Sequence, residues 1–205
     1  MPSDLTPHEI SLAVWDLPSP LVISQWSKMK VGATCSGACP LTDQEIEIRD
    51  QNKVTVGKAR LGLAPWPGTG ALYWTEVDFL APATEGIYSW SVHLTASKLE
   101  LPHAKASSHF SFVAVPPPEH CLTVKVVEKS TEVPVGEVEV RLGVHRGRTD
   151  ESGLARVELP KGSYDLVVWK LGYEAFAKAV EVTADVVVQV EMDLAPEPEQ
   201  PYWAG

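Results

Sequence analysis

The residues best suited to chemistry in this sequence are the pair in Cys35-Ser-Gly-Ala-Cys39 and two histidines further along, His103 and His109. Two thiolates and two imidazoles make a donor set of the kind that holds zinc or copper. Two thiols spaced like Cys35 and Cys39 can also close a short disulfide. Structural zinc sites usually draw on two tightly spaced ligand pairs, and only the cysteine pair is tight here. The plainer reading is a loop between strands, either bridged or carrying two thiols, and on that reading no metal or other cofactor is expected. His8, His93, His120 and His145 are scattered, with no paired acid or nucleophile at a meaningful spacing. There is no Gly-x-Ser-x-Gly elbow, His-Glu-x-x-His pair or Gly-rich phosphate loop, so an enzyme is not expected.

Exposed aromatics are the second lead. Leu63-Ala-Pro-Trp66-Pro-Gly-Thr-Gly70 sets a tryptophan on a Pro/Gly-rich loop. There Trp66 either caps the end of the fold or offers a flat surface to a partner or a sugar. Trp169 alternates out of phase with Tyr164, Leu166 and Val168, which predicts that it faces away from the core. The tail Ala195-Pro-Glu-Pro-Glu-Gln-Pro is too polar and Pro-rich for a strand, yet it ends in Tyr202-Trp203. Trp66, Trp169, Tyr202 and Trp203 are the candidate binding residues.

The elements that carry these residues read with a period of two. Tyr88, Trp90, Val92 and Leu94 alternate with polar neighbours, as do Val138, Val140 and Leu142, and Val186, Val188, Val190 and Met192. Such alternation predicts half-buried antiparallel strands. Turn signals at Pro67-Gly68, Glu85-Gly86, Ser152-Gly153 and Lys161-Gly162 come often enough for short hairpins. The fold class is therefore all-β, as two tandem antiparallel sandwiches. Pro116-Pro117-Pro118 supplies no backbone donors and marks the boundary between them. The expected domains are residues 1–115, a Pro-rich linker over 116–120, a second sandwich over 121–194 and a Pro/Glu-rich tail over 195–205. The net charge is −10, with 8 basic and 11 acidic residues before Pro116 and 9 and 16 from there on. So acidic a chain is a poor match for a nucleic-acid backbone, and no run approaches the roughly 20 apolar residues of a spanning helix. The start Met1-Pro-Ser-Asp-Leu-Thr-Pro lacks the pattern of a secretory signal, and the cysteine count is odd. These features favour a cytoplasmic chain over an exported one whose signal has been removed.

The second half carries the most specific pattern. It runs from Cys121-Leu-Thr-Val-Lys-Val-Val through Val133-Pro-Val-Gly136 and Val138-Glu-Val-Arg-Leu142. Thr149-Asp-Glu-Ser-Gly153, Leu159-Pro-Lys-Gly-Ser-Tyr164 and Lys170-Leu-Gly-Tyr173 follow. This order resembles the carboxypeptidase regulatory-like domain, a transthyretin-like sandwich related to Cna-B repeats. The resemblance implies a non-catalytic companion that assists folding, spacing or binding. Transthyretin-like hydrolases end in Tyr-Arg-Gly-Ser, whereas this chain ends in Tyr-Trp-Ala-Gly. Cna-B repeats form a Lys–Asn isopeptide promoted by a buried acid. Lys125 stands where that lysine would be, but Val168 occupies the place of the acid, and Val186–Asp193 contains no Asn. In the first half, seven expected strands and the run Gly86-Ile-Tyr88-Ser-Trp90 resemble bacterial immunoglobulin-like domains. Most of its five tryptophans (Trp15, Trp26, Trp66, Trp74 and Trp90) are expected in the core. The function that follows is a non-catalytic binding or assembly protein engaging a protein partner. The alternatives are a carbohydrate-binding module using Trp66, or a small metal or redox protein using Cys35 and Cys39.

Overall fold

In the computed structural model the described residues are 7–95, 99 and 101–196, and among them every regular element is a strand. The chain divides into two compact units, Met1–Pro116 and Pro117–Gly205. In the first, β1 (Ile10–Trp15), β3 (Trp26–Cys35) and β6 (Tyr73–Leu80) form a three-stranded sheet in the order β1-β3-β6. The facing sheet has the order β2-β8-β7-β4-β5. It comprises β2 (Leu21–Val22), β4 (Glu45–Arg49), β5 (Thr55–Arg60), β7 (Gly86–Leu94) and β8 (Ala106–Val115). Alternation decides what each strand buries. In β4, Ile46 and Ile48 are fully buried, while Glu47 on the other face meets Arg49 and Lys58 at 2.6 Å each. Met29, Val31, Val77 and Phe79 from one sheet pack against Ile46, Ile48, Val92 and Leu94 from the other. That interior is the core of a sandwich.

Of the five tryptophans expected mainly in this core, only Trp90 is buried, with its indole N–H donating to Gln51 Oε1 at 3.0 Å. Trp15, Trp66 and Trp74 are half-buried and meet edge to face, Trp15–Trp66 at 5.4 Å and Trp66–Trp74 at 4.7 Å between centroids. Gly32 explains their position. It lies between buried Val31 and Ala33, so it faces outward, and a Cβ there would come within 2.8 Å of Leu72 and 2.9 Å of the Trp15 ring. The bare glycine is a floor for rings on the outside of the sheet. Trp26, at the start of β3, is 73% exposed.

The second unit pairs a sheet in the order β11-β10-β13-β14 with one in the order β12-β9-β15. Its strands are β9 (His120–Glu128), β10 (Glu139–Leu142), β11 (His145–Arg148), β12 (Leu154–Leu159), β13 (Gly162–Trp169), β14 (Phe176–Val182) and β15 (Val186–Met192). Leu122, Val124, Val157, Val190 and Met192 from one sheet close against Val140, Leu142, Leu166, Val168 and Val182 from the other. The pairing is not wholly antiparallel as expected. β9 and β15 run parallel over seven residues, and so do β2 and β8 over two. Thr149–Gly153 is not a hairpin either, since β11 pairs with β10 and β12 with β9, so the turn carries the chain from one sheet to the other. Asp150 Oδ1 holds it by accepting from the N–H groups of Ser152 and Leu154. Gly153 has φ +74°, and a Cβ there would sit 2.5 Å from the Val126 carbonyl oxygen. Only glycine lets the turn approach β9 this closely. Lys125 is exposed on β9 while Val168 is buried, so the lysine stays out of the core where an isopeptide would form.

Candidate metal centre

Three separate stretches of the first unit converge on one cluster: His8 just before β1, the loop Cys35–Cys39 after β3, and His103 shortly before β8. The pairing of β1 with β3 sets Ile10 opposite Cys35, which leads His8 toward the loop that follows. His8 and His103 share a parallel bridge: the His8 N–H donates to Pro102 O at 2.9 Å, and the Ala104 N–H donates to His8 O at 3.0 Å. Ser36 N–H ties the cysteine loop back to Glu9 O at 2.9 Å. Backbone bonds therefore fix all three stretches before any side chain meets another.

Inside this frame one donor atom from each of His8, Cys35, Cys39 and His103 lies within 4.8 Å of all the others. His8 Nδ1 is 3.2 Å from Cys39 Sγ and 3.6 Å from Cys35 Sγ, and His103 Nε2 is 3.3 Å from Cys35 Sγ. On its far side the His103 ring meets Leu101 O through Nδ1 at 2.8 Å. A proton on Nδ1 leaves Nε2 with a free lone pair toward the sulfur. Cys35 is buried and its Sγ accepts from the Gly37 N–H at 3.4 Å. Gly37 has no substitute here, because a Cβ would collide with the His8 imidazole. Burial pushes the Cys35 thiol up, but hydrogen bonds from the backbone of Cys39 and Gly37 and the side chains of Cys39 and His103 outweigh it and bring its pKa to about 6. Cys39 is pushed up by burial, then by its hydrogen bond to Cys35 and the charge there.

Sequence reasoning named three of these four residues. The fourth is His8, not His109, which is exposed on β8 opposite Ser91 in the sheet and stands outside the cluster. Nor is a Cys35–Cys39 disulfide formed: Cys35, Cys39 and Cys121 are all free, and the two loop sulfurs each face a histidine.

The aromatic candidates fall into three groups. Trp66 is half-buried and drawn into the cluster with Trp15 and Trp74, with Lys30 Nζ 5.1 Å from its ring centroid. Trp169 is 50% exposed at the end of β13. With Val167, Glu139 and Arg141 it lines an open hollow of about 320 Å³. Tyr202 and Trp203 lie outside the described residues. Among the described residues no helix is long and apolar enough to cross a membrane.

No protein-family model matches the chain, and no curated protein does. Among solved structures it is similar to the Bacillus anthracis TIE protein, at 10% identity and a TM-score of 0.32 over 90% of this chain. It spans 41% of that protein's length. A CARDB domain from Pyrococcus furiosus has 12% identity and a TM-score of 0.39, covering 53% of this chain and 96% of the domain. BcpA, the major pilin subunit of Bacillus cereus, has 9% identity and a TM-score of 0.32, covering 91% of this chain and 70% of the pilin. The β-sandwich description rests on the sheets and cores of the chain itself.

Proposed function

We propose that the protein is a non-catalytic binding or assembly protein whose second unit is a carboxypeptidase regulatory-like sandwich that engages a protein partner. The observation that carries this reading is Trp169. Its neighbours in β13, Leu166 and Val168, fill the core, whereas Trp169 and Val167 lie beside the Glu139–Arg141 ion pair on the outer face. An indole half open to water beside a small hollow, rimmed by charge, has the makeup of an interface anchor. The family reading draws support from the Asp150 turn and Tyr164, whose hydroxyl donates to Pro160 O at 2.8 Å. A photo-reactive residue at position 165, exposed on the same face of β13 with Trp169 kept in place, used in the cells that make the protein, tests the proposal. The expected result is a discrete crosslinked protein whose binding to the purified chain is lost in Trp169→Ala with the melting temperature unchanged. If the crosslinked species still binds Trp169→Ala as tightly, or glycans bind and Trp66→Ala alone abolishes that binding, the reading is wrong.

A further inference from the structure

We propose that His8 Nδ1, Cys35 Sγ, Cys39 Sγ and His103 Nε2 are the four ligands of a structural zinc ion that clamps one end of the first sandwich. Zinc held at about 2.3 Å from sulfur and about 2.0–2.1 Å from nitrogen in a tetrahedron separates its ligands by roughly 3.3–3.8 Å. The three N···S separations of 3.2, 3.3 and 3.6 Å come within about 0.4 Å of the roughly 3.6 Å edge expected for such a pair. No ligand has to travel far, since the widest pair of donor atoms is within 4.8 Å.

The donor set selects the metal. Two thiolates and two imidazoles in tetrahedral array suit zinc, whereas calcium and magnesium take oxygen ligands. Two thiolates neutralise the dication, which suits a cluster whose members are buried or half-buried. Four protein ligands leave no coordination position for substrate, so the ion is structural rather than catalytic. The surroundings have the form expected of a metal's outer shell. The Leu101 carbonyl orients the His103 ring, as such groups orient metal-bound histidines, and the Gly37 N–H supports the Cys35 sulfur. A plain histidine–thiol contact would explain one pair of these residues. It does not explain why three stretches far apart in sequence each deliver an imidazole or thiolate donor to the same few ångströms.

The competing chemistry for the same sulfurs is a Cys35–Cys39 disulfide, which would release both histidines. The test uses the full chain, purified without a histidine tag and without chelator. Elemental analysis should find one zinc per chain, and thiol titration of the unfolded, metal-stripped protein should count all three cysteines. Cobalt(II) added to the stripped chain should develop the intense ligand-field bands of a tetrahedral site together with thiolate charge-transfer absorption. His103→Gln should weaken cobalt binding by more than the roughly 10–100-fold that loss of an outer-shell partner costs. His109→Ala should leave binding unchanged. If His103→Gln fails to fold, the cobalt spectrum of the native chain still decides the question. Metal-free protein carrying the disulfide, copper in place of zinc, an octahedral cobalt spectrum, or full affinity in His103→Gln would each overturn the proposal.

Discussion

The two sandwiches use the same small devices and close their ends differently. In each, a Gly-x-Tyr step sends a tyrosine hydroxyl back to the carbonyl four residues earlier: Tyr88 to Thr84 and Tyr164 to Pro160, both at 2.8 Å. In each, one aspartate oxygen accepts two backbone N–H groups across a turn, Asp50 from Asn52 and Val54, and Asp150 from Ser152 and Leu154. The second unit completes its core with hydrogen bonds and aliphatic side chains. Thr149, 1% exposed, donates to Val135 O and accepts from Val138 N–H, so its buried hydroxyl is paired twice. The first unit instead gathers soft donors at one end, where β1, the Cys35–Cys39 loop and the approach to β8 meet. Equivalent topological needs are thus met by apolar burial in one unit and by a polar cluster in the other.

The comparison breaks most visibly under chelation. Zinc held at about 1,000 times its dissociation constant stabilises the folded state by about 4 kcal/mol. Stripping it should lower the stability of the first unit by that amount, and with it the first unit's melting temperature, and leave the second unchanged. Calorimetry on the full chain resolves this, and equal shifts in both units, or none, would erase the distinction. The next effect belongs to the second unit. Thr149→Val keeps the shape but leaves the Val138 N–H without its partner, at a cost of about 1–3 kcal/mol. Urea unfolding should show the loss in the second unit alone.

The smallest effect is acid sensitivity. The Asp150 carboxyl is held below its ordinary value, first by the Ser152 hydroxyl and then by the Leu154 and Ser152 N–H groups. A depressed folded-state pKa contributes stability above the unfolded value near pH 4, and that stability fades as pH falls through the folded value. Asp150→Ala should therefore flatten the acid limb of the second unit's stability profile. An unchanged limb would remove Asp150 from the account.

Much of the fold could be read from period and punctuation. The seven strands expected in the first half (Glu9–Trp15, Gln25–Thr34, Gln44–Asp50, Lys53–Leu61, Ala71–Phe79, Gly86–Leu94 and Ser108–Val115) lie within two residues of those observed. Alternation fixes which side of a strand faces inward, but it does not fix which strand lies beside which. That is why the parallel partners β9 and β15 were not visible, and why His8 was missed: its place depends on the β1–β3 register that sets Ile10 against Cys35. His103 and His109 read in the sequence as one loop, yet the chain enters β8 between them. The tryptophans misled for another reason. Side-chain size predicts burial, but Gly32 offers Trp15 and its neighbours a surface on the outside of the sheet that only the assembled strands reveal.

The parallel pairing of β9 with β15 has a mechanical consequence. The chain enters the second unit at the amino end of β9 and leaves β15 at its carboxyl end, so these two points lie at opposite ends of one ladder running from Val186–Leu122 to Met192–Glu128. Tension applied through them pulls the neighbouring strands along their axes in opposite directions. All seven residue pairs are then loaded in shear together instead of parting one after another. Among the described residues of the first unit, the only parallel pairing to the exit strand β8 is the two-residue contact with β2. Under tension through its ends, the second unit is a latch that must fail all at once.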